Sequence, residues 1–340
     1  MTPWFRRRSG ALVIQTAYMG DVILSTPLLG TLAERYGPVD VVTTPQSAPL
    51  LEAHPAVRNV IRYDKRGDDK GWPGLRRVAS IIRRNRYEAA YLPHRSWRSA
   101  TLVLLARVPV RIGFEDSAAA PLYTRRLPRP VHAHETQRLW SLAEAPPGTP
   151  IPPVSLGLGD ADHAAADRWL RDHGITSAFI ALGPGSPWGA KRWHGYPALA
   201  AALDGPVVAI GGPTDQHLGE QIVAAAPGRA WSACGQVGPR VSAALIARAD
   251  VLITNDSSPL HLGLAVGTRM VALFGPTVPS FGFGPTDPRD VCLGLDDLLC
   301  RPCATFGPAV CPLDHHRCLK DLSVERVLDA VRALLTTRNP

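Results

Sequence analysis

The run Val251-Leu252-Ile253-Thr254-Asn255-Asp256-Ser257-Ser258-Pro259-Leu260-His261 passes from an apolar strand into a helix that begins near Pro259. At such a junction the first helical N–H groups have no partner within the helix, and the positive end of the helix dipole lies behind them. Asp and Ser there serve either as an ordinary N-cap or as the rim of a phosphate seat. Two further stretches have the same build. Ala11–Leu29 is an apolar strand, a short turn holding Gly20 and Asp21, and an amphipathic helix. Phe179–Trp193 is a strand followed by the Gly/Pro-rich loop Gly183-Pro184-Gly185-Ser186-Pro187-Trp188-Gly189-Ala190-Lys191-Arg192, which offers N–H groups and cations to an anion. A carboxylate and two phosphate-binding elements, each at the C-terminal end of a strand, are where open parallel sheets bind ligands.

Outward from these stretches, apolar runs alternate with helical patterns. In the first half strands are expected near 11–15, 39–43, 59–62, 88–92 and 110–113, with helices near 21–36, 47–53 and 73–85. A Pro/Gly-rich stretch over 146–153 interrupts the pattern, as a linker does. Strands near 178–182, 206–210, 251–254 and 269–274 then alternate with helices near 160–173, 195–203, 215–225, 241–248 and 259–266, and a last helix is expected near 323–336. Such alternation implies parallel, doubly wound sheets. A length of 340 residues exceeds what one hydrophobic core serves. The expected fold class is therefore α/β with two Rossmann-like domains: 1–150, 151–322, and a terminal helical segment, 323–340, packing back on the first domain.

Hydrophobic residues make up 45% of the chain and charged residues 19%, ordinary for a folded α/β protein. The net charge is +8, and much of the excess lies in the first 130 residues, as in Arg6-Arg7-Arg8, Arg76-Arg77, Arg83-Arg84 and Arg125-Arg126. Spread arginines form either a solvated surface or an attraction for an anionic partner: a nucleic acid, an acidic membrane or an acidic glycolipid. No helix-turn-helix, zinc-finger or ribonucleoprotein motif is visible, so nucleic acid is not expected as a partner. Nor does any apolar stretch reach membrane-spanning length. The expected location is cytoplasmic, with at most peripheral contact at the inner membrane.

In this order and at these separations, the three strand-to-helix segments resemble the bacterial heptosyltransferase family, glycosyltransferase family 9. Gly275-Pro276-Thr277, Leu92-Pro93-His94-Arg95-Ser96-Trp97-Arg98-Ser99, Arg111-Ile112-Gly113-Phe114 and the Cys-rich tail carry the likeness along nearly the whole chain. The resemblance implies a GT-B fold, with two Rossmann-like domains whose parallel sheets face across a cleft. It also implies inverting, metal-independent transfer of heptose from ADP-heptose to the lipopolysaccharide inner core. The alternatives are a same-fold transferase for another nucleotide sugar and glycan, or a non-catalytic nucleotide-sugar-binding scaffold. Where the family usually has Asp-Ser-Gly or Asp-Thr-Gly, this chain has Asp256-Ser257-Ser258; a Ser at that third position is strained if the turn needs positive φ.

Asp21 is then the expected general base. The leaving diphosphate is already anionic, so a base that takes the acceptor proton suffices. Lys191 is expected to offset charge developing on that diphosphate. Gly20, Ser186, Lys191, Asp215, Asp256, Ser257, Ser258 and His261 form the expected donor site. Arg95 and Arg98, assisted by Lys65 and Arg66 on a charged loop, form the expected acceptor site, because guanidinium groups hold carboxylates and phosphates bidentately. Asp160-Ala161-Asp162 looks like a metal-binding Asp-x-Asp but opens a helix, where acids are favoured by the dipole. His132-Ala133-His134-Glu135 lacks zinc-protease spacing and is read as structural or acceptor-facing. Cys300, Cys303, Cys311 and Cys318 have spacing compatible with a structural zinc, the other reading being reduced thiols that pack the tail.

Overall fold

The computed structural model describes residues 10–336; Arg6-Arg7-Arg8 lie outside the described residues. The chain divides into two compact units, Met1–Gly157 and Leu158–Pro340. The first holds strands β1 (Ala11–Ile14), β2 (Val39–Thr43), β3 (Val57–Arg62), β4 (Ala89–Leu92), β5 (Val110–Phe114) and β6 (Arg125–Leu127). The second holds β7 (Ile180–Gly183), β8 (Val207–Ala209), β9 (Ala230–Ser232), β10 (Val251–Asn255), β11 (Met270–Leu273) and β12 (Val291–Leu293). Their orders are β3-β2-β1-β4-β5-β6 and β12-β11-β10-β7-β8-β9, every recorded pairing being parallel. Renumbered within each unit, both sheets read 3-2-1-4-5-6, the Rossmann order.

The central strands are buried along their whole length, which is why they read as continuous apolar runs and not as alternating ones. In each sheet the chain reverses its direction of travel between the first and fourth strands, β1 beside β4 and β7 beside β10. Crevices outside the C-terminal ends of such strand pairs are the ligand sites of this topology.

Three expectations need correction. The helix expected over 21–36 is two helices, Met19–Leu24 and Thr26–Tyr36. Pro27 has no N–H to continue the ladder, and the hydroxyls of Ser25 and Thr26 donate back to the carbonyls of Val22 and Ile23. The linker boundary falls at Gly157 and not at 150, because the intervening segment belongs to the first unit. Ser155 donates its N–H to Thr26 Oγ1 at 3.1 Å and its hydroxyl lies 3.2 Å from His54 Nε2. The last helix, Val324–Thr336, belongs to the second unit, where it sinks Val327, Val331 and Leu334 into the core with Leu199, Val271 and Leu319. Its apolar stripe was evident from the sequence, but a stripe does not specify its partner.

Candidate functional site

In the first unit the C-terminal ends of β1 and β4 carry Thr16, Asp21 and His94. Asp21 sits in the first turn of Met19–Leu24, and its Oδ2 accepts the Tyr18 N–H at 3.1 Å. Burial pushes its carboxyl up to about 6 from 3.8, the nearby Glu135 carboxylate adds to this, and Arg129 partly offsets it. Glu135 is itself buried between two guanidinium groups, accepting from Arg129 at 2.7 and 3.0 Å and from Arg138 at 3.0 Å. A carboxyl with acidity near neutral, held by its own turn, is suited to taking up a proton. Gly20 is buried in the same short helix, in the first unit with Asp21.

Around this point lie the expected acceptor residues, three of them with their side chains already engaged. Lys65 Nζ donates to Thr16 O at 2.6 Å, and burial, with Arg66 and Arg98 nearby, lowers its pKa. Arg98 Nη1 donates to Lys65 O at 3.1 Å. Arg95 pairs with Asp116 at 2.8 Å on the surface. Arg66 is exposed in the Asp64 turn. His94 is 3.4 Å from Thr16 Oγ1, and burial, with Lys65 and Arg95 nearby, depresses its pKa to about 4, so its ring is neutral at pH 7.

In the second unit the ends of β7 and β10 are laced together. Asn255 Nδ2 donates to Pro184 O at 2.8 Å, and its Oδ1 accepts the Trp193 N–H at 3.2 Å. This brings the Gly183–Lys191 loop against the start of the helix Ser258–Val266. There Lys191 Nζ meets Asp256 Oδ2 at 2.7 Å with both side chains buried, and Thr277 Oγ1 donates to the same oxygen at 2.7 Å. Ser257 Oγ is buried without a hydrogen-bond partner among the described residues, and Ser186 Oγ accepts the Trp188 N–H at 3.2 Å. Asp215, whose Oδ2 accepts the Gly212 N–H at 2.9 Å, lies against Gly185, where a Cβ would meet its carboxyl carbon at 2.3 Å; only Gly lets the two loops approach so closely. His261 is buried one turn into the helix, its ring 6.4 Å from that of Phe283. Ser258 is not among the residues with positive φ, so the Ser that replaces the family's Gly is accommodated without backbone strain.

The Cys-rich tail packs beside the Lys191 loop. Among the described residues no group of three or more His, Cys, Asp or Glu side chains is arranged to hold a metal ion. Cys318 is buried in the apolar core of the second unit, and the Cys303 thiol turns to Cys300 O at 3.2 Å. What the tail braces is the Lys191 turn: Ala190 N–H donates to Ala309 O at 3.1 Å and His316 Nε2 lies 2.7 Å from Ala190 O. Gly307, at φ +78°, leaves room for the Lys191 stem, which a Cβ would approach to 2.9 Å. Cys303 N–H and Arg301 bind the carbonyls of Pro276 and Thr277.

Ser186, Lys191, Asp215, Asp256, Ser257, Ser258 and His261 all lie in the second unit, whereas Asp21, Arg95, Arg98, Lys65 and Arg66 lie in the first; Gly20, expected with the donor residues, stands with Asp21 instead. Thr277, Arg129 and Arg138 are not among the expected site residues, although Gly275-Pro276-Thr277 carries part of the family likeness. Glu135 had been read as structural or acceptor-facing, and the signal that could have singled it out is a lone acid amid the basic run Arg125–Arg138.

Comparison with known proteins gives these sites a family. The chain is 27% identical to lipopolysaccharide heptosyltransferase 2 of Escherichia coli strain K12, over 95% of this chain and 98% of that protein. It is 28% identical to lipopolysaccharide heptosyltransferase 2 of Salmonella typhimurium, over 79% and 84%. The solved structure of E. coli ADP-heptose LPS heptosyltransferase II superimposes with a TM-score of 0.80 at 26% identity, covering 97% of this chain and 100% of that one. A glycosyl transferase family 9 protein from Veillonella parvula shares the fold, with a TM-score of 0.84 at 24% identity over 98% and 99%. The model of glycosyltransferase family 9 (heptosyltransferase) matches residues 75–309, most of the chain, and the protein belongs to that family of transferases.

Proposed function

We propose that this glycosyltransferase moves heptose from ADP-heptose onto the lipopolysaccharide inner core, with inversion at the anomeric carbon, and that it works at the cytoplasmic face of the inner membrane. The observation that carries the proposal is the division of chemistry between two Rossmann crevices: a carboxyl with raised pKa, Asp21, in one, and a buried cation at a helix start, Lys191 beside Asp256 and Ser257, in the other. The first unit is then the acceptor-binding domain and the second the nucleotide-sugar-binding domain.

In the proposed reaction an acceptor hydroxyl attacks the anomeric carbon from the face opposite the diphosphate. Asp21 takes the hydroxyl proton as the new C–O bond forms. The bond to the diphosphate breaks and its electron pair leaves with ADP. Lys191 and the N–H groups ahead of Ser258–Val266 stabilise that departing charge, the part a divalent cation takes in other transferases. Asp256 and Ser257 are left to bind sugar hydroxyls. Support for the donor and acceptor comes from relatives whose names specify lipopolysaccharide heptosyltransfer and ADP-heptose.

The test is transfer from radiolabelled ADP-heptose to heptose-deficient lipopolysaccharide, in the presence and absence of EDTA, with mass spectrometry of the product. A gain of one heptose, unaffected by EDTA, is expected. Binding of ADP-heptose without transfer would point to the scaffold alternative, and transfer of a different sugar to the other-donor alternative.

A further inference from the structure

Residues 70–111 contain ten Lys or Arg and a single acid, Glu88, for a charge of +9 against +8 for the whole chain; the remainder of the protein is thus nearly neutral. The same segment holds five of the large hydrophobic side chains that are exposed: Trp72 at 60%, Trp97 at 52%, Leu104 at 42%, Val110 at 40% and Leu105 at 39%. Both properties converge on two helices, Gly71–Asn85 and Trp97–Leu105, which bury Leu75, Val78, Ile82, Ala100, Leu102 and Val103 in one core cluster. Neither helix contains an acid. Arg77 is paired with buried Asp69, but Arg76, Arg83, Arg84 and Arg86 form no ion pair with any described residue. The Arg76 guanidinium stands 6.0 Å over the Trp72 ring.

We infer that the outer face of these two helices is a docking surface for an anionic phospholipid leaflet. Exposed indoles favour the interfacial layer of a bilayer, where an apolar ring and a polar N–H are both accommodated. Arg76 beside the Trp72 ring, and Arg83, Arg84 and Arg86 at the other end of the same helix, are attracted to anionic headgroups. Leu104, Leu105 and Val110 decide between a membrane and a nucleic acid: aliphatic side chains gain nothing from a phosphate backbone but are stabilised at the acyl boundary. Each helix follows a parallel strand and starts at that sheet's C-terminal edge, so Trp72 and Trp97 stand at the edge that carries Asp21. A leaflet on this face therefore brings a lipid-anchored acceptor to the edge of the base. The inference deepens the membrane contact in the proposed function and rests on it for that last step only.

The experiment is flotation of the full chain with vesicles of phosphatidylethanolamine and phosphatidylglycerol, against vesicles of phosphatidylcholine alone. Binding to the anionic vesicles, weakened by salt, is expected. Arg83→Gln with Arg84→Gln should lower the partition coefficient about tenfold or more, since each basic side chain at an anionic surface contributes roughly fivefold. Trp72→Ala with Trp97→Ala should lower it about tenfold and leave the salt dependence unchanged. All variants should keep the wild-type melting temperature, and should keep wild-type transfer to a delipidated, soluble acceptor. Absence of vesicle binding, or binding lost with the arginines but indifferent to both Trp changes and competed by single-stranded RNA, would overturn the inference. Vesicle binding without transfer to any acceptor would overturn the proposed function and leave the docking surface standing.

Discussion

Replacing Lys191 by Met keeps the stem that lies against Gly307 and removes only the charge. Asp256 is then left buried with the Thr277 hydroxyl and the start of a helix as its remaining partners. Breaking a buried pair by removing one member costs about 3–5 kcal/mol, because the survivor keeps its desolvation penalty. The remaining hydroxyl bond and the helix dipole place the expected cost at the low end, about 3 kcal/mol. For a unit of this size that is a fall of about 6–12 °C in melting temperature. Adding Asp256→Asn discharges the survivor, and the double variant should return to within about 1 kcal/mol of wild type. ADP affinity, measured by calorimetry, should fall about tenfold or more in both variants, since a charge-assisted hydrogen bond to phosphate contributes about 1.5–3 kcal/mol. Stability and ligand binding thus separate across the cycle. A single variant as stable as wild type, or a double variant no more stable than the single, would refute the argument that Lys191 neutralises a buried charge.

Asp21→Asn should cut transfer about 10²–10⁴-fold with ADP affinity within a few-fold of wild type. It should also melt higher than wild type at pH 7.5, because a carboxyl raised from 3.8 to about 6 in the folded state costs stability as pH rises through that window; equal melting temperatures at pH 7.5 would contradict this. Glu135→Gln removes an anion that raises the Asp21 pKa, so the acid limb of kcat/KM, expected near pH 6, should move to lower pH, by up to about one unit, in a pH–rate profile. Arg95→Ala with Arg98→Ala should raise the acceptor KM about tenfold, by loss of charged contacts, and leave the donor KM nearly constant, as steady-state kinetics with each substrate varied would reveal.

The central strands were plain in the sequence because each is an apolar run followed by a Gly, Pro or Asp turn. Three edge strands were not: Arg125–Leu127, Ala230–Ser232 and Val291–Leu293 are three residues each, too short for any periodicity and only partly buried. The helix Trp97–Leu105 was not expected, being only nine residues long and starting inside the segment assigned to the acceptor, Arg95 to Arg98. Residue types at the site could be named one segment at a time, since strand-to-helix junctions are local. Their pairings could not, because Lys191 and Asp256 lie 65 positions apart and meet only through sheet order. In the tail, cysteine spacing left a structural zinc and packed thiols both open; the fold buries Cys318 in the core and uses the neighbouring backbone to hold a loop in place.

Lys191 and Asp256 already cancel one another, and this sets what the second crevice can select. A lone cation at a helix start would attract inorganic phosphate and every free nucleotide in a bacterial cell. A cation held by its own counter-ion does so weakly, because a simple anion that approaches Lys191 must displace or repel a carboxylate. A ligand that brings a diphosphate for the lysine and hydroxyls for the aspartate meets both members at once and leaves neither stranded. In the proposed function the ion pair would then work as a coincidence detector, giving the intact nucleotide sugar an advantage over the separate pieces from which it is made.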